Sequence, residues 1–377
     1  MIIKQKFFLG SLVLLSLLLF GCGNQVLSAT EKPIATFTST ATITPILAPT
    51  ASPSPEPVAT LPLTPTVTSV SVYPTTQPRP SSRLTEGVFE VLPAKVQARA
   101  TNRLGSSCDI TNVVIISIDG LRSDALAQAE TPVLDGLRAQ GSYQAAARAV
   151  LPSVTLINHA SMLGGMGPDK HGIYWNADNA DLGKINGPTL FSEAHAAGLQ
   201  TAMVVGKPKF EDLVLPNSVD TYIYAGYTDQ QVVNDALALL ETGLPDILFI
   251  HLPDVDSMGH ALGWMSLNQL RTINRTDGLI GQLVAVLEAK DAFRYTLLIV
   301  TSDHGGRGKT HGSDSPKDTT IPWMVMGPGV PIGLDLDSDI VTYDTAATVL
   351  YALHVPIPKV WDGQPVLEIF DQSDCQS

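Results

Sequence analysis

The sequence predicts an α/β fold: a mostly parallel sheet sandwiched between helices, preceded by a stalk without regular structure. Three observations carry this expectation. Strand-like apolar runs occur at 112–118, 201–205, 246–252, 295–301 and 321–326. They are near-continuous rather than alternating, as strands buried on both faces are. Helix-like stretches at 189–197, 230–241 and 266–289 fall between those runs, and strand–helix alternation is the pattern of a parallel sheet covered on both sides. Finally, carboxylates and histidines cluster directly after the runs, where open α/β sheets bind their ligands.

The rest of the chain frames that domain. Lys4 and Lys6 precede an apolar stretch, 7–20, that suits a secretory signal better than a bilayer span and ends at Leu19-Phe20-Gly21-Cys22. This resembles a lipobox, with residues 1–22 as lipoprotein signal and Cys22 as the lipid-bearing residue; an ordinary cleaved signal or an uncleaved anchor are the other readings. All three place the domain outside the cytoplasm. Residues 31–82 contain 11 Pro, 12 Thr and 7 Ser. That composition cannot supply a core, so 23–83 reads as an extended tether and 84–377 as the folded domain. Cys108 and Cys375 flank the domain; pairing would close a very long loop, and their spacing does not decide it. The net charge of −13 excludes long-range attraction to nucleic acid, and an anionic substrate would need local positive charge such as bound metal.

The polar clusters after the strand-like runs come in chain order. Asp119-Gly120 ends the first run; alone, such an Asp is as well read as a cap or turn residue. Thr155 and Asn158 open a helix. One reading makes Thr155 an N-cap and Asn158 a first-turn residue. The other puts Thr155 Oγ at a metal as nucleophile, with the Asn158 amide donating to a phosphate oxygen. Asp256 and His260, four apart, share one side of a helical turn and suit a zinc-chelating pair. Asp303 and His304 are adjacent, so their side chains are expected to diverge and serve different ions. His311 returns to the same region after a Gly-rich loop; a flexible surface loop with incidental histidines is the other reading, hard to sustain directly after a buried strand. Together these residues supply oxygen and nitrogen ligands without thiolate, the donor set of two divalent ions, zinc by preference, clamping a phosphoryl group.

On the motifs Ile116-Ser117-Ile118-Asp119-Gly120, Thr155-Leu156-Ile157-Asn158-His159, His171-Gly172-Ile173, Asp256-Ser257-Met258-Gly259-His260 and Ser302-Asp303-His304-Gly305, the chain resembles the alkaline phosphatase superfamily. It looks most like the type I phosphodiesterase/nucleotide pyrophosphatase branch, over roughly residues 112–329. The resemblance implies one metal held by Asp119, Asp303 and His304, with Thr155 as nucleophile, and a second held by Asp256, His260 and His311. It implies a metal-dependent hydrolase of small phosphate esters acting through a phospho-threonine, with His171 supporting the loop near Asn158. Leu156 stands where nucleotide-cleaving relatives often carry Phe. Tyr174, Trp175, Lys207 and Lys209 are pocket candidates. A phosphate monoesterase, a phosphonate hydrolase and a non-catalytic surface module are the alternatives; no Cys-x-Pro-x-Arg segment of sulfatase type stands at Thr155.

Overall fold

The computed structural model describes residues 109–177 and 182–370. The signal, Cys22, the tether, Cys108 and Cys375 lie outside the described residues.

Eight strands form one sheet in the order β4-β3-β5-β1-β6-β7-β2-β8. They are β1 Asn112–Ile118, β2 Ser142–Arg148, β3 Thr201–Val205, β4 Thr221–Tyr224, β5 Ile247–Leu252, β6 Thr296–Thr301, β7 Thr320–Met326 and β8 Leu334–Asp335. All neighbours pair in parallel except β7, which runs against both β6 and β2. The fold is the α/β sandwich that the apolar runs predict.

The period-two geometry of a strand sends alternate residues to opposite faces, and each face here meets its own core. In β1, Val113 and Ile115 enter one cluster, while Val114, Ile116 and Ile118 enter the other. β5 divides in the same way: Phe249 goes to the first cluster, Leu248 and Ile250 to the second. Residues of the helices Thr155–Gly164, Leu190–Ala196 and Asp344–Ala352 join the first cluster; those of Pro132–Gln140, Asp229–Thr242 and Leu267–Ala289 join the second. With apolar neighbours on both faces, no strand of the central three can carry polar alternation, which is why the runs read as continuous.

The central strands end flush. Ser117 of β1 pairs with His251 of β5 on one side and Thr301 of β6 on the other. The residues that leave these three strands therefore emerge side by side at one rim of the sheet.

The departures are at the edges. β2, with sequence SYQAAAR, is partly exposed and has no apolar run to mark it. β4 is four residues long and mostly half-buried. Both strands were unforeseen, as were the helices Pro132–Gln140 and Asp344–Ala352.

Candidate metal centre

The rim of β1, β5 and β6 carries the acidic residues. Asp119 leaves β1 with its N–H donating to Leu252 O, so it is locked to the end of β5. Gly120 then turns with φ +74°, and its N–H donates to Asp303 Oδ1 at 3.1 Å. A Cβ on Gly120 would lie 3.0 Å from Asp256 Cα and Cβ, so the close approach of these segments requires glycine there. Asp256 and His260 lie in the helix Asp254–Leu262, which starts two residues beyond β5. One turn brings His260 Nε2 to 3.3 Å from Asp256 Oδ1.

Asp303 and His304 leave β6, and here the expected divergence fails. Their side chains converge: His304 Nε2 is 3.3 Å from Asp303 Oδ2 and 3.3 Å from Asp119 Oδ1. The reason is that the chain leaves the strand at Thr301, so the alternation that separates neighbours no longer holds. His311 returns through the Gly-rich loop. Its ring stacks on His304 at 3.8 Å, and its Nε2 lies 3.1 Å from His260 Nε2 and 3.6 Å from Asp256 Oδ1. Trp264 closes the arrangement from below: its Nε1 donates to Gly120 O at 2.9 Å, and its ring meets His260 edge-on.

Thr155 is buried and is the first residue of its helix, not its cap; Val154 takes the cap position. Its Oγ1 lies 3.5 Å from Asp119 Oδ1 and 3.3 Å from His304 Nε2.

The donor chemistry fits metal ions. His260, His304 and His311 each direct Nδ1 at a backbone carbonyl, of Lys309, Gly305 and Ser153 respectively. A carbonyl only accepts, so Nδ1 carries the proton and Nε2 of the neutral ring presents a lone pair. Those lone pairs face carboxylate oxygens and one another. Asp256 Oδ1 and Asp303 Oδ2 are buried with no hydrogen-bond partner among the described residues. Lone pairs and unpartnered carboxylate oxygens at this spacing repel unless a cation lies between them. Two overlapping groups have donor atoms within 4.8 Å of one another: Asp256, His260 and His311, and Asp119, Asp256 and His304. Asp303 borders the second, and Asp256 belongs to both.

Burial pushes His304 and His311 down, His311 to about 4, so both are neutral imidazoles near neutral pH. The Asp256 carboxylate beside His260 moves that half-exposed ring the other way, upward. Burial and the charge of Asp119 hold Asp303 well above the usual carboxylate range. Burial would raise Asp119 too, but Lys207 and His251 outweigh it and hold Asp119 well below that range. Lys207 Nζ lies 2.6 Å from Asp119 Oδ2 and 2.7 Å from Asp256 Oδ2.

Asn158 faces away from this cluster. Its Nδ2 lies 3.2 Å from each of Val150 O, Pro152 O and Val154 O, and its Oδ1 accepts from Val150 N–H. Both amide hydrogens are committed to the loop before the helix, so the plainer reading of this first-turn residue holds, and the amide is not available to a phosphate. Asn176, which the sequence reading passed over, bonds the residue that follows Thr155. Its Oδ1 accepts from Leu156 N–H at 2.9 Å and from Lys209 Nζ at 3.0 Å, and its Nδ2 has no partner among the described residues. The signal for it was its place just beyond the His171-Gly172-Ile173 motif. His171 itself is buried against Ser161 Oγ. Of the other pocket candidates, Trp175 donates to Asp212 and Tyr174 is largely exposed.

Two further buried histidines back the site. His251 Nε2 donates to Asp119 Oδ2 at 2.9 Å. His159 bonds Ser117 Oγ and Thr155 O. Lying inside a strand and a helix, they read as core residues in the sequence.

Comparison with known proteins identifies the family and the fold. The sequence profile of the family described as type I phosphodiesterase/nucleotide pyrophosphatase matches residues 113–310, a span that includes Asp119, Thr155, Asp256, His260, Asp303 and His304. Human ectonucleotide pyrophosphatase/phosphodiesterase family member 1 is 27% identical over 213 residues, which is 51% of this chain and 23% of that protein. The chain thus matches about a quarter of the length of that relative. Among solved structures, inactive murine ectonucleotide pyrophosphatase/phosphodiesterase 5 in complex with AMP aligns with a TM-score of 0.58 at 14% identity, over 66% of this chain and 96% of that one. A 2-O GAG sulfatase aligns with a TM-score of 0.60 at 15% identity, over 71% and 76%; at such identities both show the fold alone. The profile match, covering more than half of the sequence, decides the matter: the chain belongs to the type I phosphodiesterase/nucleotide pyrophosphatase family, a branch of the alkaline phosphatase superfamily.

Proposed function

We propose that this protein is a two-metal hydrolase of phosphoric esters, suited to diesters and pyrophosphate linkages, that works through a phospho-threonine at Thr155. The observation that carries the reading is the placement of Thr155 Oγ1, buried in the first turn of a helix and within 3.3 Å of His304 Nε2 and 3.5 Å of Asp119 Oδ1. A hydroxyl so placed has no capping role to explain it.

Asp119, Asp303 and His304 would hold one divalent ion, and Asp256, His260 and His311 the other; zinc suits their nitrogen and oxygen donors. Such ions supply Lewis-acid charge that lowers the threonine pKa and neutralises phosphoryl oxygens. The chain's own part is positioning. Thr155 Oγ1 would lose its proton and attack phosphorus as the bond to the leaving oxygen breaks and that oxygen takes up a proton; water would then attack the same phosphorus, the Oγ1–P bond would break with release of the phosphate product, and Thr155 would regain its proton. Asn176, whose Oδ1 is held by Leu156 N–H and Lys209, would donate its Nδ2 hydrogens to a phosphoryl oxygen, the role expected of Asn158. The AMP bound by the murine relative supports a nucleotide or similar phosphate ester as substrate. We also retain the proposal that lipid on Cys22 tethers the domain outside the cytoplasm.

The test is hydrolysis of a nitrophenyl phosphodiester and the matching monoester by the zinc-loaded protein, with Thr155→Ala beside it. Faster diester cleavage, reduced at least about 10⁴-fold in Thr155→Ala, is the expected result. Preferred monoester cleavage would make it a phosphatase. Turnover that survives Thr155→Ala would rule out the phospho-threonine.

A further inference from the structure

Lys207 is not explained by the motifs that define the centre. It follows Gly206 at the exit of β3, and its side chain is only 13% exposed. The approach that places it is tight: a Cβ on Gly206 would fall 2.5 Å from Cγ and Cδ of Pro253, the residue that opens the way to Asp256. Gly206 N–H donates to His251 Nδ1 at 3.3 Å. That bond leaves the proton on Nε2, which donates to Asp119 Oδ2 at 2.9 Å. Lys207 Nζ shares that oxygen and reaches Asp256 Oδ2 as well. In both aspartates the division is therefore the same. Oδ2 faces the ammonium, and Oδ1 faces histidine nitrogens: His304 Nε2 for Asp119, His260 and His311 Nε2 for Asp256.

We propose that Lys207 is a positioning residue of the centre: one buried ammonium that occupies Oδ2 of both Asp119 and Asp256, so that each offers a single oxygen, Oδ1, to its metal. This rests on the metal-centre reading above. An aspartate with both oxygens free can chelate an ion through the pair and raise its coordination number. With Oδ2 held by a cation, it binds through one oxygen and the site stays four-coordinate in type. The same ammonium ties the two ligand groups to each other, because it is bonded to one carboxylate from each. Two carboxylate oxygens, at 2.6 and 2.7 Å, hold the buried Nζ in this place. The competing reading makes Lys207 a stand-in that a metal ion expels on binding.

The experiment uses the full chain, stripped with a chelator and reloaded with zinc or cobalt(II). Metal content of the wild type is measured first; uptake of none would sink the metal-centre reading itself. Acetic anhydride labelling, followed by peptide mass spectrometry, then compares Lys207 with exposed Lys359. Labelling of Lys207 about 100-fold slower than Lys359, before and after zinc loading, is expected of a buried paired amine. Labelling at the rate of Lys359 once zinc is bound would overturn the proposal in favour of the stand-in. The second readout is the visible absorption of the cobalt(II) protein. Lys207→Met removes a positive charge and should still take up metal, but with a drop of about threefold in absorption as the carboxylates bind through both oxygens. Lys207→Arg should keep the wild-type spectrum. A wild-type spectrum in Lys207→Met would overturn the proposal. If that variant does not fold, labelling of the wild type still decides.

Discussion

Trp264 wedges the helix of His260 against the loop of His311, and Gly306→Ala tests how much the centre depends on that wedge. A Cβ on Gly306 would stand 2.2 Å from Cε2 and 2.4 Å from Cδ2 of Trp264. Ordinary contact begins at 3.4 Å, so the indole must retreat by 3.4 − 2.2, roughly 1.2 Å. It has little room, since a Cβ on Gly259 would also lie only 2.7 Å from the indole. Retreat also breaks the bond from Trp264 Nε1 to Gly120 O. Overpacking costs about 1–3 kcal/mol and the unmade buried hydrogen bond about 1 kcal/mol, together about 2–4 kcal/mol. At about 2 °C per kcal/mol for a domain of this size, Tm should fall by about 4–8 °C. Calorimetry of the metal-free protein measures it, with zinc affinity as the second readout because His260 and His311 both touch the indole. Gly278→Ala is the control. Gly278 lies in the helix Leu267–Ala289 with nothing within 4 Å of a Cβ, so the substitution should stabilise by about 0.5–1 kcal/mol. A Gly306→Ala protein with unchanged Tm and unchanged zinc affinity would refute the wedge.

Other perturbations have outcomes as definite. Burial lowers His171 from the usual 6.5 to about 4. The folded state favours the neutral ring, so stability is full above pH 6.5 and falls as pH drops toward 4. The loss is 2.5 units at about 1.4 kcal/mol each, about 3 kcal/mol in all. Urea unfolding across this range should show it, and His171→Asn should flatten the slope. Asp277 receives the N–H groups of Val133 and Leu134 at 3.1 and 2.8 Å. It thus caps the helix Pro132–Gln140, whose own Thr131 makes no side-chain cap. Asp277→Ala should cost about 1–3 kcal/mol and speed amide exchange at those two residues.

The parts of this protein legible in its sequence are those where one local cue suffices. β1 and β3 occupy 112–118 and 201–205 as the apolar runs predict, because strands buried on both faces need unbroken apolar sequence. The carboxylates after β1 and β6 could be picked out because a charge directly after such a run has no core to enter. Lys207 could be named as a pocket candidate, but its bond to both aspartates could not be foreseen, and His251 was not legible as part of the site at all. A histidine within a strand looks like core; only the approach of β3 to β5 makes these two residues neighbours of Asp119. Asn158 was misread for a related reason. Its position in the first turn is local, but the fate of its amide depends on how the chain from Val150 to Val154 folds back over it. β2 escaped notice because its exposed residues remove the apolar signal that marks its neighbours.

The centre is also distributed in time. Gly120 N–H meets Asp303 across 183 residues, Thr155 meets His304 across 149, and His251 meets Asp119 across 132. Contacts so remote in the chain are closed late, after the entropy of long loops has been overcome. A chain in which these contacts are still open does not hold Asp119 beside Asp303, His304 and Thr155, so uptake of metal by that group requires the long loops to have closed.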